Sequence, residues 1–408
     1  MFRRSVRLPF FHQFTKKFHD ARLAQEAKDD AAEEVYNNNR RGRNEGGSPL
    51  DYYLKRHSAL NPSAVTSKFG LKVTDMKEVP RSVLFVPCHK EKALSKIQQI
   101  GNDVDLVILD LEDSVPPESK QTARLLLHQF VKQGGLALTS SQGGGGGSER
   151  ESSNTTKKKQ KCRAIVRINS LRTDATNGIL DLEAVMGLGP SIEGVAVPKV
   201  ELGDEVALAD YLQPGGTGTE VTHQVWAFFE TPRSILDADK ICSTNFYQYG
   251  VMGLNDLSTE MGYPLRGEEK GAAILPTSMG RVQHYYAMSS VVTACRANGV
   301  IPLDGVFNDP TDKIGFRAEL AECRSFGFDG KTLIHPAQVA DCNSAFTPTP
   351  TEVRWAERVV QCVENAGRGV AVLDGKMIEE LHARQAAKVL ARRPVVHEDT
   401  QSTSKNSV

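Results

Sequence analysis

Between Arg81 and His335 the chain repeats one pattern: a short apolar run, then a longer stretch whose apolar residues recur every three or four positions. Runs of four to eight apolar, aromatic and β-branched residues read as strands buried on both faces, and the three-to-four spacing reads as helices packed against them. The runs are RSVLFVP, VDLVILDLED, RAIVRIN, EGVAVPKV, VWAFFE, YQYGVMG, VIPLDGVF and GKTLIH, with a helical stretch between each and the next. Eight such repeats in roughly 260 residues predict a closed (β/α)8 barrel, a TIM barrel, with its active face at the C-terminal ends of the strands. A doubly wound open sheet would instead call for a glycine-rich phosphate fingerprint after the first strand, and VPCHKEK is not one.

Where the pattern stops, the organisation shows. Residues 1–20 hold Arg3, Arg4, Arg7, Lys16 and Lys17 among phenylalanines with no acid before Asp20, the composition of a mitochondrial targeting peptide; an ordinary basic tail is the alternative. Residues 21–79 are polar and of mixed charge, a linker before the barrel at 80–345. Residues 134–162 are a low-complexity insert, too poor in apolar residues to order themselves. A C-terminal helical extension spans 346–393, with a helix opened by threonine and proline, a hairpin-like turn and a last helix; a polar tail, expected to be disordered, covers 394–408.

Charge excludes some functions. Lysine plus arginine and aspartate plus glutamate are 50 each, so no global field favours nucleic acid or a membrane surface. Seven scattered cysteines without a C-x-x-C pair predict free thiols in a reducing compartment. No apolar run has the length of a bilayer span.

The chemistry concentrates between Gln224 and Ser258. Glu230 closes the run VWAFFE and Asp256 follows YGVMGLN, so two parallel strands would bring two carboxylates to one edge of the sheet. Adjacent strands lie about 4.8 Å apart, close enough for both to reach one Mg²⁺, which uses one or two protein carboxylates and leaves its other positions to water and substrate. On spacing alone the alternative stands level: each carboxylate caps the helix that follows it.

Taken together, RSVLFVP, VILDLEDSVPPESK, VRIN, VPKVE, FFETPRS, GLNDLS, LDGVFND and FGFDGKTLIHPAQV, with FTPTP after it, resemble the HpcH/HpaI aldolase and citrate lyase β-subunit family, and within it the citrate-lyase-β-like acyl-CoA lyases. The resemblance covers roughly residues 81–390. It implies an Mg²⁺ enzyme, with Mn²⁺ as an alternative ion, that makes or breaks a carbon–carbon bond between an enolate and a carbonyl. It implies Glu230 and Asp256 as metal ligands, with Glu230 also bordering the substrate, and Arg167 as the arginine that holds the substrate carboxylate and faces the enolate oxygen. Lys92 and Lys96 match lysines near the CoA moiety, Leu303 and Asp304 a segment bordering the substrate, and Asp110, Glu112 and Asp113 an acidic strand end around the metal's waters. His335 is read as structural. Phe85, Cys88 and Glu379 stand where mitochondrial members carry tyrosine, glycine and the proton-transferring aspartate.

The expected function is therefore a mitochondrial matrix lyase, Mg²⁺-dependent, that splits a 3-hydroxyacyl-CoA of the citramalyl or malyl type into acetyl-CoA or propionyl-CoA and a 2-oxo acid. The resemblance implies a homotrimer or homohexamer, in which Glu379 reaches a neighbouring subunit's site. An aldolase using free 2-oxo acids and aldehydes, and a catalytically silent scaffold or regulatory paralogue, are the alternatives.

Overall fold

Every predicted apolar run forms a strand, and each strand pairs in parallel with its sequence neighbours until the eighth closes on the first. The computed structural model describes residues 79–137, 161–212, 223–263, 281–366 and 371–392. The expected targeting peptide, residues 21–78 of the linker, residues 138–160 of the insert and the 394–408 tail lie outside these.

The strands are β1 (Ser82–Pro87), β2 (Leu106–Asp110), β3 (Ala164–Arg167), β4 (Gly194–Val197), β5 (Gln224–Phe229), β6 (Tyr249–Met252), β7 (Ile301–Asp304) and β8 (Gly330–Leu333). Between them run α1 (Glu91–Ile100), α2 (Lys120–Lys132), α3 (Ala175–Met186), α4 (Asp204–Leu212), α5 (Pro232–Leu236), α6 (Ala238–Ser243), α7 (Leu254–Glu260), α8 (Tyr285–Ala297) and α9 (Lys313–Phe326). The one helical stretch expected between VWAFFE and YQYGVMG is two helices, α5 and α6, divided at Asp237, whose side chain pairs with Lys240 at 2.9 Å.

Alternate residues of each strand face the barrel axis. Val83, Leu106, Ile108, Ile165, Ala196, Trp226, Phe228, Tyr249, Val251 and Leu303 fill the interior, with Trp226 and Tyr249 stacked at 4.1 Å between ring centroids. The intervening residues, such as Val107, Leu109, Val166, Ala227 and Phe229, pack outward against the helices. Continuing this parity to the strands' C-terminal ends aims Asp110, Arg167 and Glu230 inward at the barrel mouth.

The same parity sets the directions of Leu303 and Asp304, the pair expected to border the substrate. Leu303 is a core residue with no exposure, and Asp304 points the other way, towards the helices. There Arg281 Nη1 donates to its two oxygens at 2.9 and 2.8 Å and Lys331 Nζ donates to Oδ2 at 2.7 Å. Glu319 and Glu322 of α9 complete a buried ion cluster, at 2.7 Å from Lys331 and 2.8 Å from Arg281. The lysine and arginine charges outweigh burial and hold Asp304 below the ordinary carboxylate range. The Asp304 side chain thus fastens β7 and β8 to α9 and faces away from the barrel axis, while its backbone ends β7 on the mouth side.

A second correction concerns the insert, whose ends belong to the fold. Leu136 and Cys162 are buried, Cys162 N–H donates to the Leu136 carbonyl at 2.8 Å, and Ala137 bridges Lys161 in antiparallel sense.

After the barrel, α10 (Val339–Phe346) leads to α11 (Pro350–Ala366), β9 (Ala371–Leu373), β10 (Lys376–Ile378) and α12 (Glu380–Ala391). These last four gather a small core of their own around Ala356, Val359, Ala371, Ile378 and Ala386. All seven cysteines are free. Among the described residues no helix is long and apolar enough to cross a membrane.

Candidate metal and substrate site at the barrel mouth

The C-terminal ends of β2, β3, β4 and β5 and the first turn of α7 bring seven charged side chains together: Asp110, Glu112, Asp113, Arg167, Lys199, Glu230 and Asp256. Five carboxylates face two cations.

Arg167 is built into the site from below and from both sides. Its Nε and Nη2 donate to the two oxygens of Asp110 at 2.7 and 2.8 Å, a bidentate fork, and its Nη1 lies 2.9 Å from Glu112 Oε2 as an ion pair. The guanidinium stacks over Phe85, 4.7 Å from the ring centroid, with Phe228 at 5.8 Å. Burial resists ionisation of Asp110, but Arg167, the Ser114 hydroxyl and the Glu112 N–H hold it ionised below its usual range. A guanidinium has five N–H groups. The Asp110 fork takes two and Glu112 takes up one side of Nη1, which leaves one N–H on each of Nη1 and Nη2 for a further carboxylate.

Glu112 is fixed through its backbone. Lys120 Nζ donates to the carbonyls of Leu111 at 2.9 Å and Glu112 at 2.8 Å, and Asn169 Nδ2 donates to Leu111 at 2.9 Å. Asp113 beside it is exposed.

Glu230 is 1% exposed, and it is not a cap: Thr231 takes that place, accepting from Ser234 N–H at 3.1 Å. Its Oε1 accepts the Lys199 N–H at 2.6 Å. Gly253, between β6 and α7, passes so close that an added Cβ would collide with the Glu230 side chain. Asp256 sits in the first turn of α7, whose N-cap position is Gly253, with its side chain partly open to solvent.

Lys199 ties the acids together. Its ammonium lies 2.9 Å from Glu112 Oε1, 3.2 Å from Asp256 Oδ1, 3.7 Å from Glu230 Oε1 and 3.9 Å from Asp113 Oδ2. Glu230 and Asp256 therefore already share one positive charge. Burial, then the charge of Glu112, raises the Glu230 carboxyl to about 8 in spite of Lys199 and Arg167, with Asp256 adding to the rise. Burial likewise raises Glu112 above its ordinary value.

This donor set fits a small divalent cation. The oxygens are hard and in excess over the local cations, and Mg²⁺ needs only one or two of them. Among the described residues no three histidine, cysteine or acidic side chains converge as a complete ligand shell, so water or substrate oxygens would fill the other positions.

The remaining expected residues lie apart. Lys92 and Lys96 are exposed, one turn apart on α1, the helix that leaves the mouth after β1. His335 is a capping residue, its Nδ1 accepting from Ala337 N–H at 3.1 Å. Glu379 is exposed at the N-cap of α12, where its N–H donates to His382 Nδ1 at 3.0 Å, and within the chain it touches none of the site residues. Lys199, Lys120 and Gly253 were not singled out by the sequence reading. The signal for Lys199 was present in VPKV, a charge closing an apolar run as Glu230 does.

A family model described as HpcH/HpaI aldolase/citrate lyase matches residues 81–140 and 152–336. A (3S)-malyl-CoA thioesterase of Cereibacter sphaeroides is 34% identical over 319 residues, covering 78% of this chain and 95% of that protein. The mitochondrial citramalyl-CoA lyase of Rattus norvegicus is 29% identical over 326 residues, covering 78% and 87%. Among solved structures, the protein CitE of Mycobacterium tuberculosis, in complex with magnesium, acetoacetate and coenzyme A, is similar in fold, with a TM-score of 0.54 at 24% identity over 76% of this chain and 97% of that one.

Proposed function

The chain belongs to the HpcH/HpaI aldolase/citrate lyase family, as an enzyme of its citrate-lyase-β-like branch, and we propose that it is a Mg²⁺-dependent lyase that cleaves a 3-hydroxyacyl-CoA of the citramalyl or malyl type. The observation that carries this reading is the excess of carboxylates at the barrel mouth, with Glu230 and Asp256 sharing one cation beside a guanidinium that has N–H groups to spare.

Glu230 and Asp256 would hold the metal, which when bound supplies Lewis-acid polarisation of the substrate's oxygens. Arg167 clamps the substrate carboxylate with the N–H groups that Asp110 leaves free, and Asp110 in turn keeps the guanidinium plane fixed. Cleavage removes the proton of the 3-hydroxyl and breaks the C2–C3 bond. The electron pair passes to the thioester enolate, which takes up a proton at C2 to give acetyl-CoA or propionyl-CoA, and C3 becomes the carbonyl of a 2-oxo acid. Glu379 is the group assigned to proton transfer at C2, contributing on the order of 10² to 10⁴-fold. It acts from a neighbouring subunit of a homotrimer or homohexamer. Val372, Met377 and Leu381 support that placement, since they flank Glu379 as exposed apolar side chains, 61%, 59% and 57% accessible, on an extension that a second chain would cover. Lys92 and Lys96 meet the phosphates of CoA. The basic N-terminus directs the chain to mitochondria, a reading supported by the rat relative's name.

One observation favours a second reading. The relative at 34% identity is a thioesterase, so hydrolysis of the thioester bond competes with carbon–carbon cleavage. Purified protein incubated with Mg²⁺ and malyl-, methylmalyl-, citramalyl- and citryl-CoA separates the two, because lyase activity releases a 2-oxo acid and a shorter acyl-CoA whereas hydrolysis releases free CoA thiol. No turnover of any ester, or turnover indifferent to EDTA, overturns the proposal.

A further inference from the structure

Lys199 is a cation that the proposed reaction does not use. It stands two residues past β4 with φ of 51°, a left-handed conformation that costs a side-chain-bearing residue about 1 kcal/mol. The conformation lets one residue grip Glu230 from two sides, by its backbone N–H at 2.6 Å and its ammonium at 3.7 Å, while the ammonium also meets Glu112 and Asp256.

We propose that Lys199 is the resident counter-ion of the metal site: in the metal-free protein its ammonium holds Glu230 and Asp256 together, and a divalent ion enters by exchange with it. This rests on the reading of Glu230 and Asp256 as metal ligands. The exchange follows from space and charge. An ion bonded to Asp256 and Glu230 at about 2.0 to 2.1 Å would occupy the position towards which the ammonium points, and two cations so close repel strongly in a half-buried site. The ammonium has a place to go. Glu112 Oε1 is already its nearest partner and Asp113 lies beyond it, so the side chain withdraws without losing all its ion pairs. On its other side Lys199 borders a cavity of about 360 Å³ with Arg172, Thr231 and Arg233, so the side chain is not packed in on every face. Lysine suits this role as arginine would not, since its point charge swings on four rotatable carbons and carries no planar fork to realign.

The test is metal binding, read apart from turnover. Wild type, Lys199→Met and Lys199→Arg are titrated with Mn²⁺ by electron paramagnetic resonance, and each is melted with and without the metal. Lys199→Met is expected to bind Mn²⁺ about tenfold more tightly, to melt lower than wild type without metal, and to gain more from its addition; Lys199→Arg is expected to bind no more tightly than wild type. A residue that merely braces the fold would weaken binding when removed. Unchanged or weaker binding by Lys199→Met therefore overturns the proposal. Should that variant not fold, wild type labelled with ¹³C at lysine Cε, assigned by the Lys199→Arg spectrum, gives the second measurement: the Lys199 signal must move on addition of Mg²⁺, and a stationary signal overturns the exchange. Glu230→Gln serves as the control. Loss of metal binding there with unchanged binding in Lys199→Met removes this proposal alone, whereas full binding in Glu230→Gln removes the ligand assignment beneath it.

Discussion

Gly253→Ala should disable the site by a single methyl group placed outside it. Gly253 has φ of −105°, which alanine adopts, so the substitution costs contact and not left-handed strain. The new Cβ would collide with Cβ and Oε2 of Glu230 and stand 3.1 Å from its Cδ. To restore ordinary van der Waals separation the carboxylate must retreat by about 1 Å, yet its Oε1 is tied to the Lys199 N–H and the residue is 1% exposed. Displacement of a reacting group on this scale costs on the order of 10²-fold in rate, and overpacking costs roughly 1–3 kcal/mol of stability. A loss of that size lowers the melting temperature measurably, by less per kcal/mol than the roughly 2–4 °C seen in domains of about 150–250 residues. The assay is kcat/KM on the best CoA ester at saturating Mg²⁺, with Mn²⁺ affinity and thermal melts in parallel. Gly187→Ala is the control, since a Cβ there meets nothing closer than 3.4 Å. Wild-type kcat/KM and metal affinity in Gly253→Ala would refute the argument that this glycine exists to admit Glu230.

Further outcomes follow from the same geometry. Because burial raises the Glu230 carboxyl to about 8, metal must displace a proton from it below that pH, whereas above it the carboxylate is ionised and only the Lys199 ammonium has to yield. Metal affinity should therefore strengthen by up to about tenfold per pH unit approaching 8 and then level off; calorimetry in buffers of different ionisation enthalpy should count the released proton, and affinity flat from pH 6 to 9 would contradict it. Arg167→Lys keeps the charge but loses the fork to Asp110 and the stack on Phe85, so KM should rise and kcat fall together, while Arg167→Ala, which strands buried Asp110 and Glu112, should cost about 3–5 kcal/mol of stability. An Arg167→Lys enzyme with unaltered kcat/KM would make the arginine structural. Glu379→Gln should be nearly inactive, and subunit exchange with an Asp256→Asn protein should restore activity by assembling sites from two chains; no recovery after proven exchange would place Glu379 outside the chemistry.

The barrel was legible because parallel strands buried on both faces leave unbroken apolar runs, and eight of them separated by helical spacing allow few other closures. That same double burial hid the inward and outward directions. In VIPLDGVF nothing marks Leu303 as facing the axis and Asp304 as facing α9, and both were expected near the substrate because they match a segment that borders it in the family they resemble. Glu230 and Asp256 were legible as charges at the ends of apolar runs and Arg167 through the family resemblance, and the three converge at the mouth. Lys199 obeyed the same rule and was passed over, since a single lysine after a strand looks like an ordinary solvated end. Gly253 could not be read at all: its importance lies in which side chain crosses in front of it, a tertiary fact. The setting of Glu379 was not written in the pattern either: within the chain it stands exposed at the N-cap of α12, away from the mouth.

The short bridge between Ala137 and Lys161 has a practical reach of its own. It joins the end of α2 to the start of β3, on the face of the barrel where helices return to strands, opposite the face that carries the carboxylates. Segment 138–160 joins the described fold at two points about one strand spacing apart, and for any flexible loop closed at such a pair of points each halving of length recovers only about 0.6 kcal/mol of closure entropy. The bridge is therefore a natural splice point, where a fluorescent domain or an affinity handle with neighbouring termini can be grafted to report on the enzyme without approaching its chemistry.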